Sequence, residues 1–391
     1  MSTPVAIIGS GMISALGDDA GALHDALCDG RNGFSANTTL GDPAPTTGGI
    51  DFDPRAALPG RNFRPLDRTG RLAAVAAGRA LEDSAVDASD CGLVLGTLFG
   101  GLHTIVGFDH RVVEAGPAYA KPLDFANSVI NAAGGQTAIW HGLPGVNSTV
   151  AGGATAGLQA LGYAADLIRT GRARTLLAGG AEELSPEAWE AFRVAGLLAG
   201  DDEVAAPLSQ QSRGLRLAEG AAFLTLQGDV EAERAHGWLR GWGSAFDPQR
   251  GEQPESMARA LTRAIRAALD DAALETDAID AVWSGANGTL VGDHAELGAF
   301  EAIFGDAPPP TVAVKTRLGE ALGAAGAFQS LDVLASFADG RLAGTAWTDD
   351  DPTLPESLFA TTREQSIDVA LLTATGLDGL TCAVVLSREP S

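Results

Sequence analysis

The chain has 391 residues, 45% hydrophobic and 19% charged, which suits a globular protein with a sizeable core and allows two or three domains or one large duplicated fold. Glycine is high, 50 of 391 or about 13% against about 7% in ordinary usage; with proline it still stays below the level of low-complexity chains, so the glycines are expected at turns and close backbone contacts. The net charge of −24 excludes a nucleic-acid footprint and attraction to anionic membranes, because both present phosphate that an acidic surface repels.

The acidic residues are dispersed, which reads as a solvated surface. Only two lysines occur, Lys121 and Lys315. Cys28, Cys91 and Cys382 are too scattered for a disulfide framework or a zinc site, and each reads as a small core residue. No metal or cofactor motif is present. The opening MSTPVAIIGSGMISALG lacks a basic segment before its apolar run, so no signal peptide is expected. No apolar run is long enough to span a membrane, and a cytoplasmic protein is the expectation.

In chain order, residues 4–9 predict a buried strand and 19–29 an amphipathic helix. Arg71–Leu81 is an Ala-rich helix, followed by a strand over Gly92–Gly96 and the turn Thr97–Gly101. Gly157–Thr170 predicts a helix with Leu158, Leu161, Ala165 and Ile168 on one face, and Thr175–Ala178 a buried strand. Strands follow over Ala221–Gln227 and Trp238–Gly243. The second half repeats the style, with helices over Met257–Ala273, His294–Phe304 and Gly323–Ala338. Its strands are expected over Ile279–Trp283, Thr311–Val314, Ile367–Leu372 and Thr381–Leu386. This alternation predicts an α/β architecture with largely parallel sheets. An internal echo suggests duplication: Gly157 and Gly171-Arg172 have the same spacing as Gly326 and Gly340-Arg341. A join at Gln227–Gly237 divides the chain into halves of 1–232 and 233–391.

Several segments resemble the β-ketoacyl-carrier-protein synthases, condensing enzymes of the thiolase fold. VAIIGSGMISALGDDAGALHDALCDGRNGF resembles their opening strand, loop and helix, and LVLGTLFGG their third strand and turn. PLDFANSVINAAGGQTAIWHGLPG resembles the dimer-interface and pocket segment, and ATAGLQALGYAADLIRTGRARTLLAGGAEEL the nucleophile helix with its following strand. LRLAEGAAFLTLQ, ANGTLVGDHAELGAF and VAVKTRLGEALGAAG are similar to the later strand and the two histidine motifs. The resemblance runs from about residue 4 to 387 in the expected order. It implies duplicated βαβαβαββ halves in a five-layer αβαβα sandwich, assembled as a dimer.

Condensation needs a cysteine at a helix N-terminus, where the dipole favours thiolate, and donors for the developing enolate. In the family the donors are two histidines. The resemblance places Ala154 at the cysteine position, Asn287 at the first histidine and Glu320 at the second. The gating phenylalanine of the C-terminal Gly-Phe-Gly-Gly turn becomes Leu377. Lys315, Asp293 and Glu296 keep family positions; the simplest role for Lys315 is a buried ion pair with Glu320 or Glu296. No catalytic residue is expected. Ser148, Thr149 and Thr155 flank Ala154, but a hydroxyl nucleophile needs an adjacent base.

These losses are similar to those of the chain length factor, the inactive partner of the ketosynthase in type II polyketide synthases. The resemblance implies a heterodimer with an active ketosynthase and a role in shaping the polyketide tunnel. It also implies an acyl carrier protein that docks on the ketosynthase, since an acidic carrier is repelled by this chain. PLDFANSVINAAGGQ is similar to highly reducing systems that make polyenes, such as aryl polyenes. Tunnel or interface candidates are Phe108, Leu123, Phe125, Val129 and Ile130. Two other readings compete. One is an acyltransferase with repurposed residues, Glu320 as base and Asn287 as oxyanion donor; the other is a free-standing pseudoenzyme homodimer.

Overall fold

The computed structural model describes residues 3–201, 203, 205–345 and 357–390. The first half runs β1 (Val5–Ile13), α1 (Ala20–Cys28), α2 (Arg68–Ser84), β2 (Cys91–Gly96), α3 (Leu102–Ala115), α4 (Pro122–Ala126), α5 (Ala132–His141), β3 (Asn147–Val150), α6 (Ala156–Arg169), β4 (Thr175–Glu182), α7 (Pro186–Val194) and β5 (Gly220–Gln227). The second half runs β6 (Gly237–Phe246), α8 (Pro254–Ala272), β7 (Ala281–Trp283), α9 (Leu290–Phe304), β8 (Thr311–Val312), α10 (Lys315–Leu318), α11 (Ala325–Asp339), β9 (Val369–Thr375) and β10 (Leu380–Ser387).

Ten strands share one hydrogen-bonded order, β8-β7-β9-β10-β6-β1-β5-β4-β2-β3. Read outward from its centre, that order repeats: β1-β5-β4-β2-β3 in one half and β6-β10-β9-β7-β8 in the other. Within the strand order the halves meet at the short antiparallel contact Val5↔Leu239, Ala6↔Trp238 and Ile7↔Gly237. Each half is a βαβαβαββ unit.

The layers follow from which helix faces are apolar. α6 is buried nearly all round, as a helix between two sheets must be. It touches β2 and β4 on one side and β6 and β10 on the other, while α11 touches β4 and β5 of one half and β9 of the other. α2 covers the outer face of β1, β5 and β4, and α8 covers β6 and β10 with α9 packed on it. α8 carries its apolar residues on one stripe, including Leu261, Ala264, Ile265 and Ala268, and so seals an outer layer. The result is the five-layer thiolase-type sandwich.

The glycines of the internal echo have a physical reason. A Cβ on Gly157 would meet the Gly323 carbonyl oxygen at 2.9 Å, and one on Gly326 would meet Leu158 N at 2.9 Å. The two central helices therefore cross backbone to backbone at their N-terminal turns. Gly171 and Gly340, with φ +68° and +72°, take the left-handed turn after those helices.

Three expectations need correction. The sheet is mixed: β4–β2, β2–β3, β9–β7 and β7–β8 are parallel, whereas the five central pairings are antiparallel. β9 and β10 are joined by a tight turn, which permits only antiparallel pairing, whereas parallel pairs need a crossover. The strand expected over Thr311–Val314 stops at Val312, because Val314 already caps the short α10. Finally, Cys28 is not a core residue: Cys91 and Cys382 are buried, but Cys28 is only half-buried.

Candidate functional site

Ala154 lies in the turn Gly153–Thr155 that leads into α6, with Gly153 at φ +61°. This is the helix N-terminus where the dipole would favour a thiolate, but the side chain present is a methyl. Ala154, Asn287, Glu320 and Leu377 line one cavity of about 300 Å³ together with Phe99 and Leu322. Four positions far apart in sequence thus converge. Thr155 offers no nucleophile, since its hydroxyl donates to the Gly152 carbonyl at 2.6 Å.

The polar groups at this cavity are bonded to one another. Lys315 Nζ donates to Glu320 Oε2 at 2.8 Å and to the Gly285 carbonyl at 2.7 Å. Asn287 Nδ2 donates to the same Glu320 oxygen at 2.9 Å, and Leu322 N donates to Glu320 Oε1 at 2.8 Å. The Asn287 amide oxygen accepts from Thr289 N and Oγ1 at 3.1 and 2.8 Å. The Lys315 and Glu320 side chains are 3% and 1% exposed, so the ion pair is dry. Of the two carboxylates the sequence offers as partner to Lys315, Glu320 is the one bonded.

Asp293 and Glu296, on α9, hold backbone rather than ligand. Asp293 accepts from Asn287 N, Gly288 N and Leu208 N at 3.0, 3.1 and 2.6 Å, fixing the loop that presents Asn287. Glu296 Oε2 accepts from Ser284 Oγ at 2.5 Å, Thr373 Oγ1 at 2.9 Å and Gly285 N at 3.1 Å. Burial raises both carboxyls against these bonds, Asp293 to about 7. Among the described residues no cluster of histidine, cysteine and carboxylate side chains could hold a metal ion.

A further buried carboxylate, Glu182 at the end of β4, was not singled out by sequence. It accepts from Leu98 N, Phe99 N and Gly323 N at 2.6, 2.8 and 3.2 Å, so it anchors both loops that wall the cavity. Burial raises it to about 7 despite those bonds. The only signal for it is an acidic residue closing an otherwise apolar strand. Leu377 is 46% exposed on the turn between β9 and β10, at the open side of the cavity.

The remaining candidates lie on a different surface. Phe108 of α3 and Phe125 of α4 contact each other, with ring centroids 5.8 Å apart. Phe125 is 62% exposed, and Leu123, Val129 and Ile130 are exposed as well. Val106, Val113, Tyr119 and Ile139 are exposed in the same stretch, so among the described residues eight of the thirteen exposed large hydrophobic side chains fall within 106–139. The patch and the cavity are linked by one contact. Ile130 packs on Gly100, in the loop whose Leu98 and Phe99 wall the cavity.

The fold and the convergent positions define a condensing-enzyme framework, and comparison with known proteins agrees. Residues 2–232 match the beta-ketoacyl synthase N-terminal domain and residues 236–348 the C-terminal domain. The chain belongs to the beta-ketoacyl synthase family. It is 30% identical to the actinorhodin polyketide putative beta-ketoacyl synthase 2 of Streptomyces coelicolor, across 98% of both chains. It is likewise 30% identical to the tetracenomycin polyketide synthase ketoacyl synthase alpha subunit of Streptomyces glaucescens, across 98% of this chain and 97% of that one. The solved ishigamide ketosynthase/chain length factor superposes with a TM-score of 0.91 at 27% identity, across 99% of each chain. No described helix is long and apolar enough to cross a membrane.

Proposed function

We propose that this chain is a non-catalytic ketosynthase-like subunit, a chain length factor, that pairs with an active ketosynthase and shapes the tunnel for the growing chain at their interface. One observation carries the reading. At the cavity a methyl group stands at the helix N-terminus, and the two polar side chains at the other degenerate positions, Asn287 and Glu320, are bonded to each other and, through Glu320, to Lys315. Ala154 cannot form an acyl thioester. Glu320 accepts bonds on both oxygens and is held as a paired carboxylate by Lys315, while Asn287 spends one of its two amide N–H donors on Glu320, an arrangement of a structural ion pair rather than of a free base. That arrangement weighs against a repurposed acyltransferase.

The exposed apolar face supports the partnership. Exposed apolar side chains concentrated in one segment point to an interaction site, and the segment holding Leu123, Phe125, Val129 and Ile130 is the one whose sequence resembles the family's interface. The net charge of −24 disfavours docking of an acidic carrier here over a Debye length of about 8–10 Å, so the carrier binds the ketosynthase. The highly reducing, polyene-type assignment and the division into halves at 232/233 belong to the same reading.

Co-expression with the neighbouring ketosynthase, followed by size-exclusion chromatography with mass determination, tests it. A 1:1 heterodimer without condensing activity in this chain alone is expected. A well-behaved homodimer that ignores the ketosynthase would favour the free-standing pseudoenzyme. Turnover by the purified chain that vanishes in Glu320→Ala would overturn the proposal in favour of an enzyme.

A further inference from the structure

A second cluster of titratable and nucleophilic side chains lies where α1 packs on α11, and the reading above makes no use of it. His24 and Cys28 are one turn apart on α1, so they share a face. The His24 ring is 1% exposed, with Nδ1 2.6 Å from Asp332 Oδ1 and Nε2 3.4 Å from Cys28 Sγ. Asp332, on α11, is fully buried, and its second oxygen accepts the Trp283 indole N–H at 2.7 Å. A thiol beside an imidazole whose far nitrogen is fixed by a carboxylate is the arrangement that activates cysteine in nucleophilic sites.

Charges of both signs surround the pair: the carboxylates of Asp332, Asp339 and Asp25, and the Arg341 guanidinium. Burial alone would push the His24 ring towards its neutral form, but the bonds to Asp332 and Cys28 outweigh it and raise the ring to about 10, so it is cationic at neutral pH. Asp339 Oδ1, 3.3 Å from Nε2, shares the ring with Cys28. Arg341 pairs with Asp25 and Asp339 at 2.6 Å each, close enough to Cys28 for their charges to interact. Cys28 is partly exposed, which lets a small reagent reach its sulfur; the cavity of about 680 Å³ beside His24 is lined by His24, Asp25 and Asp339 and not by Cys28. By contrast, Cys91 and Cys382 have no cation beside them, and burial pushes both thiols up, Cys91 to about 11.

We propose that Cys28, His24 and Asp332 form a nucleophilic thiol site that reacts with small sulfur electrophiles of the low-molecular-weight disulfide class. Cys28 Sγ bonds to one sulfur of the disulfide while the original S–S bond breaks. The departing sulfur leaves as thiolate and takes up the proton given up by the Cys28 thiol. Cys28 is thereby oxidised to a mixed disulfide and the small disulfide is reduced to one thiol equivalent.

The test uses the full chain, as purified with or without its partner, and peptide mass spectrometry that resolves all three cysteines. Iodoacetamide and 2-hydroxyethyl disulfide are the probes, applied at pH 7. Cys28 is expected to alkylate at least about tenfold faster than the same cysteine in an unstructured peptide of this sequence. Cys91 and Cys382 are expected to stay unmodified, and the disulfide probe to add to Cys28 alone. His24→Gln should bring Cys28 down to the peptide's rate. A Cys28 rate at or below the peptide's, or one unchanged in a folded His24→Gln variant, overturns the proposal. The comparison of wild type with peptide needs no variant, so it decides even if His24→Gln fails to fold.

Discussion

The cavity at Ala154 and the apolar face over residues 106–139 treat their chemical groups in opposite ways. At the cavity, Lys315 and Glu320 are buried, Asn287 is half-buried, and Glu320 accepts a bond from each of the other two. On the face, Phe125, Leu123, Val129 and Ile130 are apolar and open to solvent. At the inner site the buried charges are paired within the chain, whereas the outer apolar surface is left uncovered. The difference teaches that free energy left to be gained lies at the surface, where apolar side chains gain it by being covered.

The largest expected effect breaks the inner half of that comparison. Lys315→Ala leaves the Glu320 carboxylate buried and unpaired, and a loss of about 3–5 kcal/mol in unfolding free energy is expected from denaturant titration. Replacing both partners, Lys315→Met with Glu320→Leu, should cost far less, because no charge is stranded. Equal costs for the single and double variants would show that the pair does not act as a unit.

The next effect strikes the outer half. Phe125→Asp combined with Ile130→Asp should weaken association with the ketosynthase by at least about 2 kcal/mol, roughly thirtyfold, while the chain's own melting temperature holds. Unchanged elution of the complex would remove this face from the interface.

A smaller effect concerns pH. Asp293 sits at about 7 in the folded chain because burial outweighs its backbone bonds, against about 3.9 when unfolded. The folded state therefore holds its proton longer. Its contribution is present below about pH 4 and is lost as pH rises through about 7, so stability from this group falls across that window. The slope of the urea midpoint between pH 4 and 8 should be shallower in Asp293→Asn than in the parent; parallel slopes would refute the assignment. No such difference is expected for Phe125→Ala, which touches only the face.

The smallest effect is none at all. Ala154→Cys places a thiol at the helix N-terminus, but Glu320 is a paired carboxylate with no donor for the enolate, and among the described residues no imidazole stands beside it. We expect no condensing turnover from that variant alone, measured by malonyl-thioester consumption. Turnover would show that the saturated site relaxes on substrate binding.

Much of this was legible in order along the chain. The long helices and buried strands announced themselves by periodicity, and the spacing of Gly157 and Gly171 against Gly326 and Gly340 marked the repeat. Ala154, Asn287 and Glu320 could be named as departures because their flanking motifs were intact. Strand direction was less legible. A buried strand is apolar on both faces whether its neighbour runs parallel or antiparallel, so the central antiparallel pairings looked like the parallel ones.

By itself, then, the sequence determined which elements form and suggested that they repeat, and its motifs are what let a family resemblance point to Ala154, Asn287 and Glu320. These are properties of local pattern and residue type. Only the tertiary structure decided that Lys315 pairs with Glu320, that Glu182 anchors both cavity loops, and that Cys28 meets His24 while Asp332 fixes the ring from 308 residues away. Such pairings depend on which backbones approach closely, and here that is set by the glycine crossing of α6 and α11 and by how the helices pack between and over the sheets.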